Sequence, residues 1–288
     1  MITIKYYGRL GNNLNQYAFG RILANRYKYC LNCRGVKGFI NTNEKIDGQI
    51  IKDPVIGLKF NRVVLSELDK RINDTKGAHI HLYGTFGYYL NFEQHRDEIR
   101  KWFYLPELDL KEMNGKFKNV LGKEICVNDI DNNDVFLHIR LGDLLDTDNR
   151  RKYRTLFFDY YDIILSRIKF NRLFIASDSI ESEYVRAFAK YNPILLFEDS
   201  VLKTLQFFKL FNRIIMSRSS FAWWGAYLSD AKEVYYPLPI DGLWGEDNLR
   251  TDCDYMVNES RYIYVRERTK EFITDYNKAR QLLKCIKE

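Results

Sequence analysis

The chain has 288 residues, of which 46% are hydrophobic and 29% are charged, and this composition is typical of a folded globular protein rather than a disordered one. No apolar run approaches the ~20 residues that a membrane-spanning helix needs. The net charge of +7 is compatible with an anionic partner, but lysine and arginine are scattered among acidic residues, which argues against a nucleic-acid-binding protein. The length predicts one large α/β unit or two domains of ordinary size.

The N-terminal residues run directly into a strand-like segment, with no basic and apolar leader before it. We therefore expect a cytoplasmic protein without a signal peptide or an integral membrane segment. The five cysteines are an odd number and lack the spacing of a disulfide framework. Cys30 and Cys33 form a Cys-x-x-Cys pair, but no second pair or histidine cluster completes a zinc site. We expect reduced structural thiols, no metal site and no cofactor.

Strand and helix signals alternate along the first half of the chain. A strand is predicted where polar and apolar residues alternate, and a helix where apolar residues recur every three or four positions. A Gly/Asn-rich turn, GRLGNN, separates the first strand from the first helix. The predicted elements are a strand at 2–7, a helix at 14–27, a helix or strand near Val63, a strand at 78–84, a capped helix at 91–103, and a further helix and polar loop within 105–133.

From residue 135 the pattern becomes regular, and short apolar runs alternate with segments of helical length. Strands that are buried on both faces have such runs, and helices between them imply parallel crossovers. The sequence predicts a doubly wound parallel sheet over residues 135–240 and a less regular α/β domain before it. A long charged helix is predicted at the C-terminus, packed back across the first domain. The strand-like runs are VFLHIR, RLFIASD, PILLFED, RIIMSRS and EVYYPL.

Polar residues follow several of the predicted strands. In doubly wound sheets, ligands bind beyond the carboxyl ends of the strands, so these residues are candidates for one site. Arg140 is the hardest to explain structurally, because a guanidinium at the end of a buried strand needs an anionic partner. The clusters are Gly8, Arg9, Gly11 and Asn12; His138, Arg140 and Asp143; Ser177 and Asp178; and Arg218, Ser219 and Ser220.

Each cluster also has a purely structural interpretation. The Gly/Asn turn tolerates positive φ and lacks the complete Gly-x-Gly-x-x-Gly pattern of dinucleotide-binding folds. His138 can be a satisfied core histidine, and Asp143 can form a structural ion pair with Arg140. Ser219 and Ser220 can cap the helix that follows them, and its two tryptophans can belong to the core.

A functional interpretation joins the clusters. The helix after the serine pair offers free N–H groups and a positive dipole to a phosphate. Arg140 would add charge-assisted hydrogen bonds of about 1.5–3 kcal/mol each. Together they would form a metal-free pyrophosphate clamp, which stabilises a nucleoside diphosphate as its glycosyl bond breaks.

Three segments, GRLGNNLNQYAFGRILA, LHIRLGD and SRSSFAWWGAYLS, resemble motifs of the α-1,2-fucosyltransferases of glycosyltransferase family 11. The family shows GGLGNQ-FQYA, H-x-R-R-G-D and NSSFSWWGAWL in the same order. The resemblance implies a GT-B-like α/β fold, in which two Rossmann-like domains face each other across a cleft. We assign 1–133 and the C-terminal helix 264–288 to an acceptor-side domain, and 134–263 to a nucleotide-sugar-binding domain.

The resemblance also implies the reaction and the residues that carry it out. The reaction would be an inverting, metal-independent transfer of L-fucose from GDP-fucose to a hydroxyl of a glycan acceptor. Arg140 matches the family's essential first arginine and would hold the β-phosphate of the donor. Asp143 is the second catalytic candidate, as the base or as the residue that orients Arg140. The remaining residues assigned to donor binding are Gly11, Asn12, His138, Asp178, Ser219 and Ser220.

Two departures from the family pattern leave the donor open. Leu141 stands where relatives have a second arginine, and Ser179 follows Asp178 where relatives often have another aspartate. Acidic residues there can read a guanine edge, so a UDP- or dTDP-activated sugar, such as UDP-GlcNAc, is an alternative donor. A non-catalytic glycan- or nucleotide-sugar-binding protein is a further alternative. A Rossmann oxidoreductase lacks its glycine fingerprint, and residues 34–78 give no pattern that identifies the acceptor.

Overall fold

The structure is a computed structural model, and it describes residues 1–59, 65–142, 156, 158–238, 254–266 and 269–284. The chain divides into two compact units, and each is built on its own sheet of mainly parallel strands. The predicted α/β class is therefore confirmed. None of the described helices is both long and apolar enough to cross a membrane. The first unit comprises Met1–Leu105 and Thr251–Met256, and the second comprises Pro106–Arg250 and Val257–Glu288.

The first unit contains a four-stranded parallel sheet in the order β2-β1-β4-β3. Its strands are β1 (Ile2–Ile4), β2 (Leu31–Asn32), β3 (Val55–Lys59) and β4 (His79–Tyr83). Its helices are α1 (Leu10–Tyr27), α2 (Leu65–Asp74) and α3 (Arg96–Trp102). The predicted helix at 91–103 is thus shorter than expected, and the element predicted near Val63 lies outside the described residues.

Helix α1 packs closely against one face of this sheet. Every residue from Leu14 to Ala24 is buried, so this helix has almost no solvent-facing side along that stretch. Gly20 makes the close approach possible, because a Cβ at this position would lie 2.5 Å from Cδ1 of Ile4. The helix ends at Lys28, which adopts the left-handed conformation with φ 56° and donates its N–H to the Ala24 carbonyl.

The opposite face of the first sheet is polar and accessible. Along β4, Ile80 and Leu82 are buried, while His79, His81 and Tyr83 point to the other side and are half-buried or exposed. A Cβ on Gly57 of the neighbouring strand would meet no atom within 4 Å. Parallel sheets are usually covered on both faces, so an accessible face of this kind is uncommon.

The Cys-x-x-Cys pair flanks the short strand β2. Cys30 and Cys33 are free, half-buried thiols, and Cys126 is a free, exposed one. Burial raises the pKa of Cys33, which keeps it in the thiol form at neutral pH. Cys253 and Cys285 lie outside the described residues.

The second unit contains an eight-stranded sheet in the order β12-β11-β10-β9-β6-β7-β8-β5. The outer strands β5 and β12 are antiparallel to their neighbours, and the six strands between them are parallel. The strands are β5 (Phe117–Lys118), β6 (Val135–Ile139), β7 (Leu173–Ser177), β8 (Ile194–Leu196), β9 (Arg213–Ile215), β10 (Glu233–Leu238), β11 (Tyr262–Arg266) and β12 (Phe272–Ile273). The helices are α4 (Phe158–Arg167), α5 (Glu183–Arg186), α6 (Val201–Phe208), α7 (Ser220–Leu228) and α8 (Tyr276–Lys284).

The order of these strands defines a switch point. From β6 the chain moves outward through β7 to β8, and then returns to the other side of β6 to form β9, β10 and β11. The predicted doubly wound sheet is confirmed. In such sheets the connections after the two strands at the reversal, here β6 and β9, diverge and leave a crevice where ligands bind.

The observed units differ from the predicted domains. Residues 106–133 lie in the second unit, because Phe117–Lys118 pairs with β8 and the Pro106 carbonyl accepts a 2.8 Å hydrogen bond from Gln206 Nε2. The helix predicted there is only a short 3-10 turn at Leu110–Met113. Conversely, Asp254 was assigned to the predicted domain 134–263 but belongs to the first unit. Its carbonyl there accepts the N–H of Tyr89 at 2.7 Å.

The predicted C-terminal helix over 264–288 is wrong for its first part. Residues 262–266 form β11, with Tyr262, Tyr264 and Val265 buried, and β12 follows before α8 begins at Tyr276. Alternating aromatic and β-branched residues fit a pleated sheet better than a helix. Helix α8 belongs to the second unit, in which Lys278 Nζ lies 2.7 Å from Glu271 Oε1 across the β12–α8 connection.

An ion pair between a buried carboxylate and a half-buried guanidinium holds the amino ends of β6 and β7 together. Asp134, which is fully buried, accepts hydrogen bonds from the Arg172 guanidinium, from the Arg172 backbone N–H at 3.1 Å and from the Asp131 N–H at 2.8 Å. Removing the buried carboxylate is costly, because the donors around it lose their acceptor.

We expect Asp134→Ala to lower the free energy of unfolding by about 3 kcal/mol, because three donors lose their acceptor. Thermal unfolding of the variant and the original chain measures the effect as a fall in Tm. Asp47→Ala removes an exposed ion pair with Lys45 and should leave Tm unchanged. Equal Tm values for Asp134→Ala and the original chain would contradict the assignment.

Candidate functional site

A buried hydrogen bond joins the carboxyl ends of β6 and β9 at the switch point. His138 Nδ1 lies 2.8 Å from Ser217 Oγ, and both side chains are buried. The two strands pair in parallel, with Leu137 opposite Ile215, so the segments that follow them emerge at the same edge of the sheet. This bond fixes the two segments relative to one another. The role of Ser217 was not predicted from the sequence, because a serine within a strand-like run gives no distinctive signal.

His138 is uncharged at neutral pH. Its ring contacts those of Phe208 and Phe221, with ring centroids 5.6 and 5.4 Å away, and the two phenylalanine rings also contact each other. Burial lowers the pKa of His138 to about 4; the Asp178 carboxylate opposes this effect, and the Arg140 guanidinium adds to it. The geometry matches the structural interpretation of His138 as a satisfied core histidine. A neutral imidazole can contact the nucleotide sugar through hydrogen bonds only. The assignment of His138 to binding of the sugar donor stays a prediction.

Two arginines follow the carboxyl ends of β6 and β9 at matching positions in the sequence. Arg140 and Arg218 each stand three residues after the paired Leu137 and Ile215. Both side chains are half-buried, and the Nε atom of each is buried. Arg218 belongs to one of the polar clusters predicted from the sequence, where it has no assigned function. Arg218 therefore lies as far along the chain from the last paired residue of β9 as Arg140 lies from that of β6.

A carboxylate anchors the segment that carries Arg140. Asp178 Oδ1 accepts the backbone N–H groups of Leu141 and Gly142 at 2.7 and 2.9 Å. Gly142 permits this approach, because a Cβ there would lie 2.3 Å from Asp178 Oδ2. Leu141 is fully buried, so this position contributes to the core. The structure thus gives Asp178 a positioning role that the sequence analysis did not assign.

The serine pair begins helix α7. Ser219 is the N-cap, and its Oγ accepts the N–H of Phe221 at 3.2 Å, while Ser220 is the first helical residue. The structural interpretation of Ser219 as a cap is therefore confirmed. The helix N-terminus lies directly after β9, at the carboxyl edge of the sheet. It offers N–H groups and a partial positive charge at that edge.

The two tryptophans of α7 are core residues. Trp223 and Trp224 are fully buried and contact each other edge to face, with ring centroids 4.9 Å apart. Gly225 faces the ring of Phe208, and a Cβ there would lie 2.5 Å from that ring. Close packing along this helix holds its N-terminus in place.

The predicted residues Gly11 and Asn12 lie in the first unit, in the first turn of α1. The turn before them contains Gly8, whose φ of +78° agrees with the predicted Gly/Asn turn. A Cβ at Gly8 would lie 2.4 Å from Nδ2 of Asn12, so the turn brings these residues into close contact. These two residues belong to a different unit from the other predicted site residues, and their part in donor binding stays a prediction.

Two buried polar residues of α1 were missed by sequence reasoning. Gln16 donates to the Gly84 carbonyl at 2.8 Å, which connects the start of α1 to the segment after β4. Asn15 donates to the hydroxyl of Tyr255, a residue of the returning C-terminal segment. Both are fully buried. The available signal was two adjacent amides beside the apolar positions of the helix, since buried amides need partners, but the neighbouring pair Asn12–Asn13 gives the same pattern.

Asp143, the second predicted catalytic residue, lies outside the described residues. Among the residues that the structure does describe, no group of three or more His, Cys, Asp or Glu side chains could hold a metal ion.

Comparison with known protein families gives a match over most of the chain. The sequence model of Glycosyl transferase family 11 matches residues 1–240 of the 288. A search of curated proteins found no match. The family match covers all three motifs quoted above and extends over most of both units.

The environment of His138 predicts a pH effect on stability. Its pKa is about 4 in the folded chain and about 6.5 when unfolded, so the unfolded chain binds more protons between these values. The free energy of unfolding should therefore fall as the pH drops from 6.5 towards 4, by at most about 3 kcal/mol from this residue. His138→Gln removes the contribution, so the variant should lose less stability than the original chain over this range.

Urea unfolding at several pH values between about 7.5 and 4.5 measures this difference. His95→Gln is the matched control, because His95 is partly exposed and bonded to Glu98 at 2.7 Å. A difference between His138→Gln and the original chain that stays constant with pH would contradict the assignment.

Proposed function

The chain belongs to glycosyltransferase family 11, and on this basis we propose that it is an inverting fucosyltransferase that uses GDP-fucose. In this proposal a glycan hydroxyl accepts the fucose in an α-1,2 linkage, as a galactoside 2-α-L-fucosyltransferase does, and no metal takes part. The observation that carries the proposal is that Arg140, Arg218 and the N-terminus of α7 all follow the carboxyl ends of β6 and β9, the two strands at the switch point of the second sheet.

These groups suit the diphosphate of a nucleotide sugar. Two guanidinium groups and a helix N-terminus supply positive charge where a leaving diphosphate gains negative charge. Fixed donors of this kind stabilise the transition state more than water can, because they need no reorganisation when the charge develops. In the proposed reaction they neutralise the diphosphate, as a divalent cation otherwise would.

Arg218 would replace the charge that is lost at Leu141. The family motif H-x-R-R-G-D reads H-I-R-L-G-D here, and the motif NSSF reads RSSF. One arginine is thus absent after Arg140, and one is present where the family motif has asparagine. Leu141 is fully buried, whereas Arg218 is half-buried, and Arg218 and Arg140 each stand three residues after the last paired residues of β9 and β6. We propose that Arg140 and Arg218 together form the clamp.

The proposed chemistry is a displacement at the anomeric carbon of the sugar. The acceptor oxygen forms a bond to this carbon, and the bond from carbon to the β-phosphate oxygen breaks. The electron pair leaves with the diphosphate, which the clamp stabilises, and the hydroxyl proton passes to a base. Asp143 remains the proposed base or the partner of Arg140. His138 is a poor candidate for the base, because it is buried and bonded to Ser217.

The two-domain arrangement is part of the proposal. The first unit would form the acceptor side, with Gly11 and Asn12 lining a cleft that faces the donor site. The donor-binding assignments of Asp178, Ser219 and Ser220 belong to the proposal as well.

A different donor is the second candidate. Asp178 uses one carboxylate oxygen for two backbone N–H groups, and Ser179 replaces the further aspartate of the family pattern. Fewer acidic atoms are therefore left to read the edge of a guanine. This observation favours a UDP- or dTDP-activated sugar as the alternative to GDP-fucose, with the same clamp.

The clamp predicts a strong effect of Arg140. We expect Arg140→Ala to lower kcat/KM by roughly 10²–10³, as the loss of one donor to a developing anion does. Arg140→Lys should restore little, because an ammonium group cannot form the two-pronged contact. Arg218→Ala should also lower kcat/KM, and the double variant should lose less than the product of the two losses if both arginines act on one diphosphate.

Release of nucleoside diphosphate from the sugar donor measures these rates. Arg167→Ala is the matched control, because Arg167 ends α4 near the amino edge of the same sheet and donates to the Lys270 carbonyl. Normal turnover in Arg140→Ala would show that the clamp assignment is wrong.

Donor choice can be tested before the acceptor is known. We expect GDP, at 100 times its dissociation constant and with EDTA present, to stabilise the folded chain by about 2.7 kcal/mol. Thermal shifts with GDP, UDP and dTDP compare the bases, and Arg140→Ala should remove the shift. A selective shift with UDP or dTDP would overturn GDP-fucose but keep the clamp. A shift without sugar transfer to any glycan would favour a non-catalytic binding protein.

A further inference from the structure

The accessible face of the first sheet carries a row of four hydrogen-bonded side chains, here called the histidine row: Thr3, His79, His81 and Tyr83. Thr3 Oγ1 lies 2.8 Å from His79 Nε2, and Tyr83 Oη lies 3.0 Å from His81 Nδ1. Between these outer contacts, His79 Nδ1 and His81 Nε2 face each other at 3.3 Å. None of these residues has a part in the proposed sugar transfer.

The two inner nitrogens have the spacing of metal ligands. Imidazole nitrogens bind Zn²⁺ at about 2.0–2.1 Å, so two of them on a tetrahedral ion lie about 3.4 Å apart. We propose that His79 and His81 chelate one divalent transition-metal ion of the zinc, copper or nickel type through these two nitrogens. Imidazole is a preferred ligand of this class of ion, whereas Mg²⁺ and Ca²⁺ prefer oxygen.

The outer contacts support this ligand geometry. Thr3 Oγ1 can accept a hydrogen bond from His79 Nε2–H, and Tyr83 Oη can accept one from His81 Nδ1–H. In these tautomers both inner nitrogens carry lone pairs, and at 3.3 Å two lone pairs repel unless a proton or a metal ion lies between them. Hydrogen bonds to the outer nitrogens of ligating histidines commonly fix the tautomer and the orientation of the ring.

The histidine row is accessible to solvent. His79 and His81 are half-buried and Tyr83 is 36% exposed, so a hydrated ion can reach the row. Among the described residues no third His, Cys or carboxylate completes a larger ligand set, so water would fill the other coordination positions. The site goes beyond the proposed sugar transfer, and its binding can be measured without any sugar.

Calorimetric titration of the metal-free full chain with ZnCl₂ tests the proposal. We expect one ion per chain and at least tenfold weaker binding in both His79→Asn and His81→Asn. Thr3→Val should weaken binding by about tenfold, because the outer hydrogen bond is lost. MgCl₂ should give no binding, and CuCl₂ should bind more tightly than ZnCl₂.

Two controls exclude other ligands. His95→Asn removes a partly exposed histidine of the same unit, and Cys33→Ser removes a thiol of the Cys-x-x-Cys pair; both should bind Zn²⁺ normally. Electron paramagnetic resonance of the Cu²⁺ complex should show two coupled nitrogens, and one in His81→Asn. Circular dichroism confirms that each variant is folded. Unchanged binding in folded His79→Asn and His81→Asn, or loss of binding in Cys33→Ser, would overturn the proposal.

Discussion

The hydrogen bond between His138 and Ser217 is the contact on which the candidate site depends. It joins β6 and β9, the two strands from which the second sheet runs in opposite directions. Every charged group of the proposed clamp lies on a segment that leaves one of these two strands. A buried neutral histidine suits this task, because it bonds across the strands without bringing a charge that would repel the arginines beside it. This bond sets the relative position of the segments that follow β6 and β9. The remaining polar contacts at this edge then position individual side chains on these segments.

The second constraint at this edge is the contact between Asp178 and Gly142. Charge of the correct sign is not enough for a phosphate clamp, because the guanidinium must also be held at a defined height above the sheet. Asp178 Oδ1 accepts the two backbone N–H groups that come immediately after Arg140. These two hydrogen bonds fix the height of the backbone next to this arginine. The contact ties the segment after β6 to the end of β7, so three adjacent strands contribute to the position of one side chain.

The sequence was most informative where physical periodicity is strong. The apolar runs of the second half predicted the parallel sheet, and the candidate site residues of this half follow the ends of its strands. The domain boundary could not be predicted, because the two-residue strand Phe117–Lys118 is stabilised by pairing with β8 and leaves no pattern of its own. Strand β12 could not be predicted either, because it has only two residues and charged residues surround it. Ser217 and Asp178 show the same limit within the site, since their roles depend on contacts with residues 79 and 36 or 37 positions away.

The path of the chain between β10 and β11 affects how this protein can fold. These strands are parallel neighbours in the second sheet, yet residues 254–256 between them belong to the first unit. The bond from Asn15 to Tyr255 spans 240 positions of the sequence. On the ribosome, therefore, the first unit stays incomplete until residues 254–256 have been made, and no single cut separates the two units. Contacts of such long range slow folding, because the entropy of closing the loop is lost before the contact is gained. The N-terminal unit, although synthesised first, is among the last parts of the chain to be completed.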